Sequence, residues 1–408
     1  MDNNTIKHVF KEYIHPLDTK VIQKMIDHAQ IDKYVKKLGV LTFIRTFIYA
    51  QLKELKSLGR ISDNVKRKKM VQRLVGIKRI SKSQLSRKLG EIPPEIFQVI
   101  LHHLVQKLHQ ELGSKQADKA LGKIHLIDSS TISMCLSQYE WAVFRETKAG
   151  IKLHTSVNFC DGVSYPNDVI LTPAKPADVT QLDPLILGKD ALHVFDRGYF
   201  DFGKFEYYCA NGIRFVTRIK ANTIVHVIEE LPVDPSSAII RDAMVKIGNM
   251  KHPLHLVETL DSKGNLISIV CNDAKVSAQE ISDLYRTRWQ IELFFKWIKQ
   301  HLVLIKFYGQ SENAVFNQIY IAMITFCLNL LMKNKLGYKG TLLEMFNWVS
   351  DFWSKSLSSF IKELFKKPDR TSNGRRKMQH QRIFEETLAQ YESGDVLHLD
   401  DLTYDPLV

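Results

Sequence analysis

Apolar residues recur every three or four positions through the first part of the chain, which is the spacing of amphipathic helices. The runs VIQKMIDHAQIDKYVKKLG and LTFIRTFIYAQLKELKSLG both show it, and each closes on a glycine that favours the end of a helix. The stretch RISKSQLSRKLGEIPPEIFQVILHHLV predicts two helices separated by a turn at Gly90 and Pro93-Pro94. We therefore predict a helical domain over residues 1–118.

From about residue 119 the pattern changes to short apolar runs that predict strands. KIHLIDSS and ALHVFDRGYFD each contain an apolar strand that ends at a carboxylate, Asp128 or Asp196. IKLHTSVNF alternates, and GVSYPNDVILTPA predicts a strand with a turn at Pro166-Asn167. A helix is expected over Val179–Leu187, followed by a helix in FGKFEYYCANG and a strand in IRFVTRI. Strands followed by alternating helix and strand predict a mixed sheet with helices on its faces.

The second half of the chain adds strands and then helices. Residues 221–276, with PLHLVETL and NLISIVCN joined by the turn DSKGN, predict a β-rich insertion. A helix is predicted over Ser277–Leu302, because Ser277 and Glu280 have the spacing of a capping box. Further helices and a partly flexible tail follow. The predicted division is a helical domain (1–118), an α/β domain (119–335, interrupted at about 221–276) and a C-terminal helical region with its tail (336–408).

The composition is that of a globular protein with excess positive charge. Apolar residues make up 45% of the chain, which is ordinary, whereas the net charge of +13 favours a polyanionic partner such as nucleic acid. An acidic membrane would attract the same charge, but the apolar run Ile319–Met332 is shorter than the roughly 20 residues of a membrane span. We expect a buried core helix there and no membrane contact. Five scattered cysteines and an N-terminus without an apolar signal core favour reduced thiols in the cytoplasm.

The positive charge is concentrated between Arg60 and Lys88, where Asp63 is the only acidic residue. Because two predicted helices follow one another at the end of this segment, it favours a helix-turn-helix-like unit that contacts double-stranded DNA. The alternative is a basic, solvated helix hairpin that only supports folding. The residues predicted to contact DNA are Arg67, Lys68, Lys69, Arg73, Lys82, Arg87 and Lys88.

Four polar residues of the predicted helix Ser277–Leu302 share one side of it. At about 100° per residue, Arg288, Glu292 and Lys299 project at about 300°, 340° and 320° from Tyr285. A carboxylate held among an arginine, a lysine and a tyrosine beside an apolar stripe suits the binding of phosphate and metal. The alternative is an ordinary amphipathic helix with mixed charge on its polar rim.

Asp128 and Asp196 are predicted to meet Glu292 at one edge of the sheet, because each aspartate ends a strand. Three carboxylates at one point repel one another unless a cation neutralises them, and hard oxygen ligands suit Mg²⁺ or Mn²⁺. Two such ions about 4 Å apart can activate a water or a 3′-hydroxyl against a phosphodiester. The alternative for each aspartate alone is a cap on the turn that follows its strand.

The spacing Tyr285-x2-Arg288-x3-Glu292-x6-Lys299, with IDSSTI around Asp128 and DRGYFD from Asp196, resembles the insertion-sequence-four family of DDE transposases and its YREK signature. This is the group similar to the transposase of bacterial transposon Tn-five. The resemblance covers about residues 119–335 and implies an RNase H-like core whose two aspartates and glutamate hold two Mg²⁺ ions. It also implies that Tyr285, Arg288 and Lys299 contact DNA phosphates.

Relatives of this kind are bacterial and cut transposon ends by hydrolysis, pass through a DNA hairpin and join the ends to target DNA in a dimeric synaptic complex. The resemblance therefore implies cut-and-paste transposition, terminal inverted repeats and target DNA as partners, a homodimer and a place at the nucleoid. In the best-known relatives an insertion-domain tryptophan stacks on a flipped base, whereas residues 221–276 here contain no Trp, Tyr or Phe.

Two other functions fit the same residues. A domesticated, non-catalytic DNA-binding protein would use the basic helices alone, and a structure-specific nuclease on the same core would cut without joining. Lys152 and His154 are predicted on one face of the strand after Asp128, as DNA contacts or as an ordinary exposed face. Trp289 and Trp297 are predicted to pack, with stacking on DNA as the alternative.

Overall fold

The computed structural model describes residues 7–112, 122–160, 163–186, 188–261, 264–304 and 306–366, and residue 389. Contacts divide the chain into two compact units, Met1–Phe360 and Ile361–Val408. The predicted division at residues 118 and 335 stays a prediction, since the first unit includes both positions. The tail with Arg370, Arg375 and Asp400 lies outside the described residues.

The N-terminal part is helical, as the spacing of its apolar residues predicts. Its helices are α1 (Val9–Tyr13), α2 (Thr19–His28), α3 (Val40–Leu52), α4 (Leu58–Arg67), α5 (Lys69–Val75), α6 (Lys82–Glu91) and α7 (Pro94–Leu112). Ser81 and Gln84 form a capping box at the start of α6. Gly76 takes a φ of 89° at the end of α5, a conformation that favours glycine. The two predicted helices around Pro93-Pro94 are therefore present as α6 and α7.

The centre of the chain forms a mixed sheet. Its strands are β1 (Lys123–Cys135), β2 (Val143–Arg145), β3 (Lys148–Cys160), β4 (Val163–Pro173), β5 (Ala191–Phe195), β6 (Arg214–Arg218), β7 (Val225–Glu230), β8 (Ile239–Ile247), β9 (Leu254–Leu260) and β10 (Leu266–Cys271). Strand β1 pairs antiparallel with β3, which pairs with β4, while β5 lies parallel to β1 and β6 parallel to β5. This order, β4-β3-β1-β5-β6, is that of an RNase H-like core.

Two local predictions in this region were wrong. Pro166 and Asn167 form no turn; they lie inside β4, where a register shift opposite Ser156 and Val157 accommodates the extra residue. The helix expected over Val179–Leu187 is a 3-10 turn, Asp178–Gln181, followed by the single-turn helix α8 (Leu182–Leu185). Pro184 interrupts the hydrogen bonding of a longer helix, and the apolar run around it is short.

The strands of residues 221–276 extend the same sheet. Strand β10 pairs antiparallel with β6, and β9, β8 and β7 follow outward in that order. One face of this sheet packs against α9 (Phe202–Ala210), where Phe205 and Phe215 stack with ring centroids 4.8 Å apart. The β-rich character predicted for this segment is confirmed.

The predicted helix Ser277–Leu302 is divided at Arg288 into α10 (Ala278–Thr287) and α11 (Trp289–His301). The predicted capping box of Ser277 and Glu280 begins α10. At the junction the Arg288 amide donates to the Tyr285 carbonyl and the Ile291 amide donates to the Arg288 carbonyl, which tightens the backbone locally. The spacing of 100° per residue that holds in a uniform α-helix therefore does not apply across Arg288.

Three further helices follow: α12 (Glu312–Lys335), α13 (Leu342–Phe352) and α14 (Leu357–Leu364). Helix α12 is long and apolar enough to cross a membrane, but 94% of its apolar window is buried inside the protein. It packs against α3, α6 and α7, and Asn317 donates to the carbonyls of Leu89 and Ile92, 2.8 Å away in each case. It is the core helix that the interrupted apolar run predicts.

Candidate active site

Strands β1 and β5 bring two aspartates side by side. Their parallel pairing ends at Ile127 opposite Phe195, so Asp128 and Asp196 are the next residues on neighbouring strands. Asp196 ends β5, as predicted, whereas Asp128 lies in the middle of β1, because β1 continues to pair with β3 as far as Cys135. The parallel pairing of β1 with β5 therefore stops just before Asp128, whereas strand β1 itself continues.

Each aspartate is oriented by backbone amides. The Ser129 amide donates to Asp128 Oδ1 over 2.8 Å, and the Gly198 amide donates to Asp196 Oδ1. Asp196 thereby caps the 3-10 turn Arg197–Tyr199. The capping alternative is thus present for Asp196, whereas Asp128 lies within β1, and each aspartate keeps a second oxygen for other partners.

Helix α11 supplies the third carboxylate. Arg288, at the junction of α10 and α11, donates from Nη1 to Asp128 Oδ2 over 3.1 Å and from Nη2 to Glu292 Oε1 over 2.7 Å. One guanidinium therefore joins the strand carboxylate to the helix carboxylate. The Arg288 side chain is only 17% exposed, so its charge is screened weakly by solvent.

The donor set fits a hard divalent cation, although the carboxylates are not gathered into a finished metal site. Within the described ranges no group of three or more His, Cys, Asp or Glu side chains is close enough to hold an ion. The pKa of Asp128 is raised to about 7, chiefly by burial and to a lesser extent by Asp196 and Glu292, while Arg288 and the Ser129 amide oppose the shift. A cation at the three carboxylates would relieve that unfavourable burial of charge. Arg288 supplies part of that positive charge.

The family comparison decides what kind of site this is. The family described as Transposase DDE domain matches residues 120–330, just over half of the chain, including all three carboxylates. The chain belongs to the DDE transposase family. Membership implies a divalent metal, usually Mg²⁺, and a nuclease or transposase activity. A second family, described as a domain of unknown function (DUF4372), matches residues 5–78.

Three similar proteins are named as transposases. One, for insertion sequence element IS5377 of Geobacillus stearothermophilus, is 27% identical over 77% of this chain and 84% of its own length. The protein y4zB of Sinorhizobium fredii is 32% identical over 50% of this chain and 59% of its own length. The cryo-EM structure of a piggyBac transposase synaptic complex with hairpin DNA aligns with a TM-score of 0.45 and 12% identity, over 90% of this chain and 84% of that chain.

Tyr285 and Lys299, the remaining residues of the Tyr285-x2-Arg288-x3-Glu292-x6-Lys299 set, lie near Arg288 and β1 respectively. The Arg288 guanidinium lies 5.9 Å from the centre of the Tyr285 ring. Burial raises the pKa of the Tyr285 hydroxyl and Asp196 adds to it, whereas Arg288 and Arg218 oppose it. Lys299 Nζ donates to the Thr131 carbonyl of β1 over 2.9 Å. Arg218, the last residue of β6, is a second positive charge near Tyr285. The sequence did not indicate this, since a single arginine at the end of a strand has no distinctive pattern.

The basic side chains between Arg60 and Lys88 are exposed with one exception. Lys88 is buried, 6% exposed, and its ammonium pairs with Asp32 over 2.8 Å, so its prediction as a DNA contact is wrong in this structure. The exposed members of the predicted set are Arg67, Lys68, Lys69, Arg73, Lys82 and Arg87. Arg73 also contacts His8 Nε2 over 2.7 Å. The exposed charge lies on and between α4, α5 and α6; α7 carries one lysine, Lys107, which donates to the Pro16 carbonyl.

The two tryptophans of α11 differ. Trp297 packs against Phe326 and Phe346 with ring centroids 5.1 Å and 6.1 Å apart, as predicted. Trp289 is 58% exposed beside Arg288, so its prediction as a packing residue is wrong. Helix periodicity could not distinguish them, because Trp297 is covered by residues of α12 and α13, which the sequence of α11 does not reveal.

The pKa of Asp128 predicts a pH-dependent difference in stability. A carboxyl whose pKa rises on folding, here from 3.8 to about 7, contributes stability when protonated and loses it as the pH rises toward the folded pKa. Asp128→Asn should therefore raise the melting temperature of the metal-free protein above wild type by an amount that grows between pH 4 and 7. Thermal unfolding of both proteins measures the difference, in which other titrating groups largely cancel. A constant difference across this range would contradict the assignment.

Proposed function

We propose that this protein is an insertion-sequence transposase of the insertion-sequence-four family, with the YREK signature and similarity to the Tn-five group. It binds the terminal inverted repeats of its element and moves the element by cut-and-paste strand cleavage and strand transfer. The observation that carries the proposal is the Arg288 bridge between Asp128 and Glu292, because it connects a DDE aspartate to the helix glutamate.

In this proposal Asp128, Asp196 and Glu292 hold two Mg²⁺ or Mn²⁺ ions. When bound, the ions would supply an activated water or 3′-hydroxyl and stabilise the leaving oxygen of the phosphodiester. The backbone amides of Ser129 and Gly198 fix one oxygen of each aspartate. The strands therefore determine where the carboxylates point before DNA arrives.

Arg288, Tyr285 and Lys299 bind and orient the DNA backbone. Arg288 is shared between two carboxylates in the absence of DNA, and a phosphate offers its guanidinium an equivalent bidentate partner. Transfer of Arg288 to a phosphate frees Asp128 Oδ2 and Glu292 Oε1 for the metal ions. Lys299 Nζ donates to the neutral Thr131 carbonyl, and a phosphate would offer it a charged acceptor instead. The exposed Trp289 indole supports stacking on an unpaired base.

The exposed basic residues of α4, α5 and α6 recognise double-stranded DNA of the transposon end, and a homodimer forms the synaptic complex at the bacterial nucleoid.

Purified protein mixed with a labelled inverted-repeat end, Mg²⁺ and a target plasmid tests the proposal. Nicking followed by joining to the plasmid is expected. Binding without nicking would indicate a non-catalytic binder, and nicking without joining would indicate a nuclease.

Replacing Lys68 and Lys69 together by alanine should weaken binding to the transposon end and lower its salt dependence. Each phosphate contact contributes about 0.9 to the slope of log K against log salt, so the slope should fall by about 1.8. Both side chains are exposed at the start of α5, so the double variant should fold as wild type does. Binding titrations at several salt concentrations measure the slope. Lys24→Ala, an exposed lysine of α2, is the control, and an unchanged slope in the double variant would remove these two residues from the interface.

A further inference from the structure

A second polar cluster adjoins the carboxylates through Ser129, the residue after Asp128. Asp178, the first residue of the 3-10 turn after β4, accepts a hydrogen bond on Oδ1 from Ser129 Oγ over 2.7 Å. Lys152 Nζ forms an ion pair with the same oxygen over 2.9 Å. The Nδ1 atom of His154 is 3.6 Å from the same oxygen. These residues come from β1, β3 and the segment after β4, so the cluster is assembled by the sheet and not by local sequence.

The cluster is largely withdrawn from solvent. The side chains of Lys152 and Asp178 are 12% and 29% exposed, and that of His154 is fully buried. Burial lowers the pKa of His154 to about 4, so this histidine is neutral at neutral pH and Lys152 provides the positive charge that pairs with Asp178. Lys152 also donates to the Pro176 carbonyl over 3.2 Å. A partly buried ion pair of this kind is weak evidence of added stability.

The cluster reaches Asp128 through one residue. Ser129 binds Asp178 with its hydroxyl and Asp128 Oδ1 with its amide. Tyr199 is buried close to both aspartates, and its pKa is raised by burial and by the charges of Asp128 and Asp178. The Asp128 carboxylate is thus held on one oxygen by Ser129 and on the other by Arg288, and only the Ser129 side remains when Arg288 moves to DNA.

We propose that Asp178 is a positioning residue for Asp128: held by Lys152, it fixes Ser129 and thereby the orientation of the carboxylate that binds the metal. The inference rests on the proposed function, because it assumes that Asp128 is a metal ligand. It assigns roles to Asp178, Lys152 and Ser129 outside the DDE set. The sequence left Lys152 as a DNA contact or as part of an ordinary exposed face, and the structure instead places it in this internal ion pair, 12% exposed.

Mn²⁺ binding to the full-length protein, measured by titration calorimetry, tests this role without relying on cleavage. Loss of a residue that orients a metal ligand typically weakens metal affinity about 10- to 100-fold. We expect that weakening for both Asp178→Ala and Ser129→Ala. Because both variants remove the same link, the double variant should bind no more weakly than Asp178→Ala. Asp178→Asn keeps an acceptor oxygen for Ser129 but loses the ion pair with Lys152, so its affinity should lie between those of wild type and Asp178→Ala.

The matched control is Asp183→Ala. Asp183 lies five residues further along the same connection and bonds Lys204 and Tyr208 instead of β1, so its loss should leave Mn²⁺ affinity unchanged. If Asp128→Asn binds Mn²⁺ as wild type does, the proposed function itself fails. If Asp128→Asn loses binding while Ser129→Ala and Asp178→Ala keep it, only the positioning role fails. Ser129→Ala removes one hydroxyl and leaves the Lys152 pair intact, so it decides the question even if Asp178→Ala does not fold.

Discussion

Asp128→Asn, Asp196→Asn and Glu292→Gln are each expected to abolish Mg²⁺-dependent cleavage of the transposon end. Each change keeps the size of the side chain and removes the negative charge that holds the metal. Stabilisation of the reacting phosphate by metal is worth several kcal/mol, and each 1.36 kcal/mol is tenfold in rate, so a loss of about 1,000-fold or more is expected. A gel-based cleavage assay with a labelled end measures it.

Binding of the DNA end should be nearly unchanged in these three variants, because the exposed basic residues of α4 to α6 are untouched. Asp283→Asn is the matched control for cleavage. Asp283 lies on α10, is 53% exposed and pairs with Arg286 at the surface, so its loss should leave the rate unchanged. Wild-type cleavage by any one of the three variants would remove that residue from the active site.

Arg288→Ala is expected to separate metal binding from cleavage. Removing the guanidinium frees Asp128 Oδ2 and Glu292 Oε1, so Mn²⁺ affinity should be equal to or greater than that of wild type. Cleavage should fall about 10- to 150-fold, because a charge-assisted contact to the reacting phosphate, worth about 1.5–3 kcal/mol, is lost. Calorimetry and single-turnover cleavage measure the two effects on the same preparation.

Arg286→Ala provides the comparison, because Arg286 sits two residues earlier on α10 and is 66% exposed in a surface pair with Asp283. It should change neither quantity. A parallel fall in metal affinity and cleavage for Arg288→Ala would mean that Arg288 holds the carboxylates in place and does not act on DNA.

Strand and helix patterns predicted most of the architecture, because burial imposes periods that a sequence displays directly. The α/β class, the β-rich segment before the catalytic helix, the capping box at Ser277 and the core character of α12 all follow from such local patterns. The end of β1 does not, since Asp128 sits where pairing with β5 stops while pairing with β3 continues. Where the pairing of β1 ends on each side depends on the neighbouring strands and not on the sequence of β1 alone.

Only part of the site could be predicted, because some of its contacts follow from local patterns and others join distant segments. Asp128 and Asp196 could be placed together from two strands of similar pattern, and spacing could bring Arg288 near Glu292 at one helix step. The burial of Lys88 against Asp32 and the exposure of Trp289 depend on contacts between distant segments. Asp178 was not identified either, because its partners Ser129 and Lys152 lie on other strands and no spacing within the sequence connects them.

The most direct test of the metal site is anomalous diffraction from crystals of the protein bound to a transposon end and Mn²⁺. The account predicts anomalous density between Asp128, Asp196 and Glu292, with the Arg288 guanidinium on a DNA phosphate. Density at other residues, or Arg288 still bridging Asp128 and Glu292 with no Mn²⁺ beside them, would contradict it.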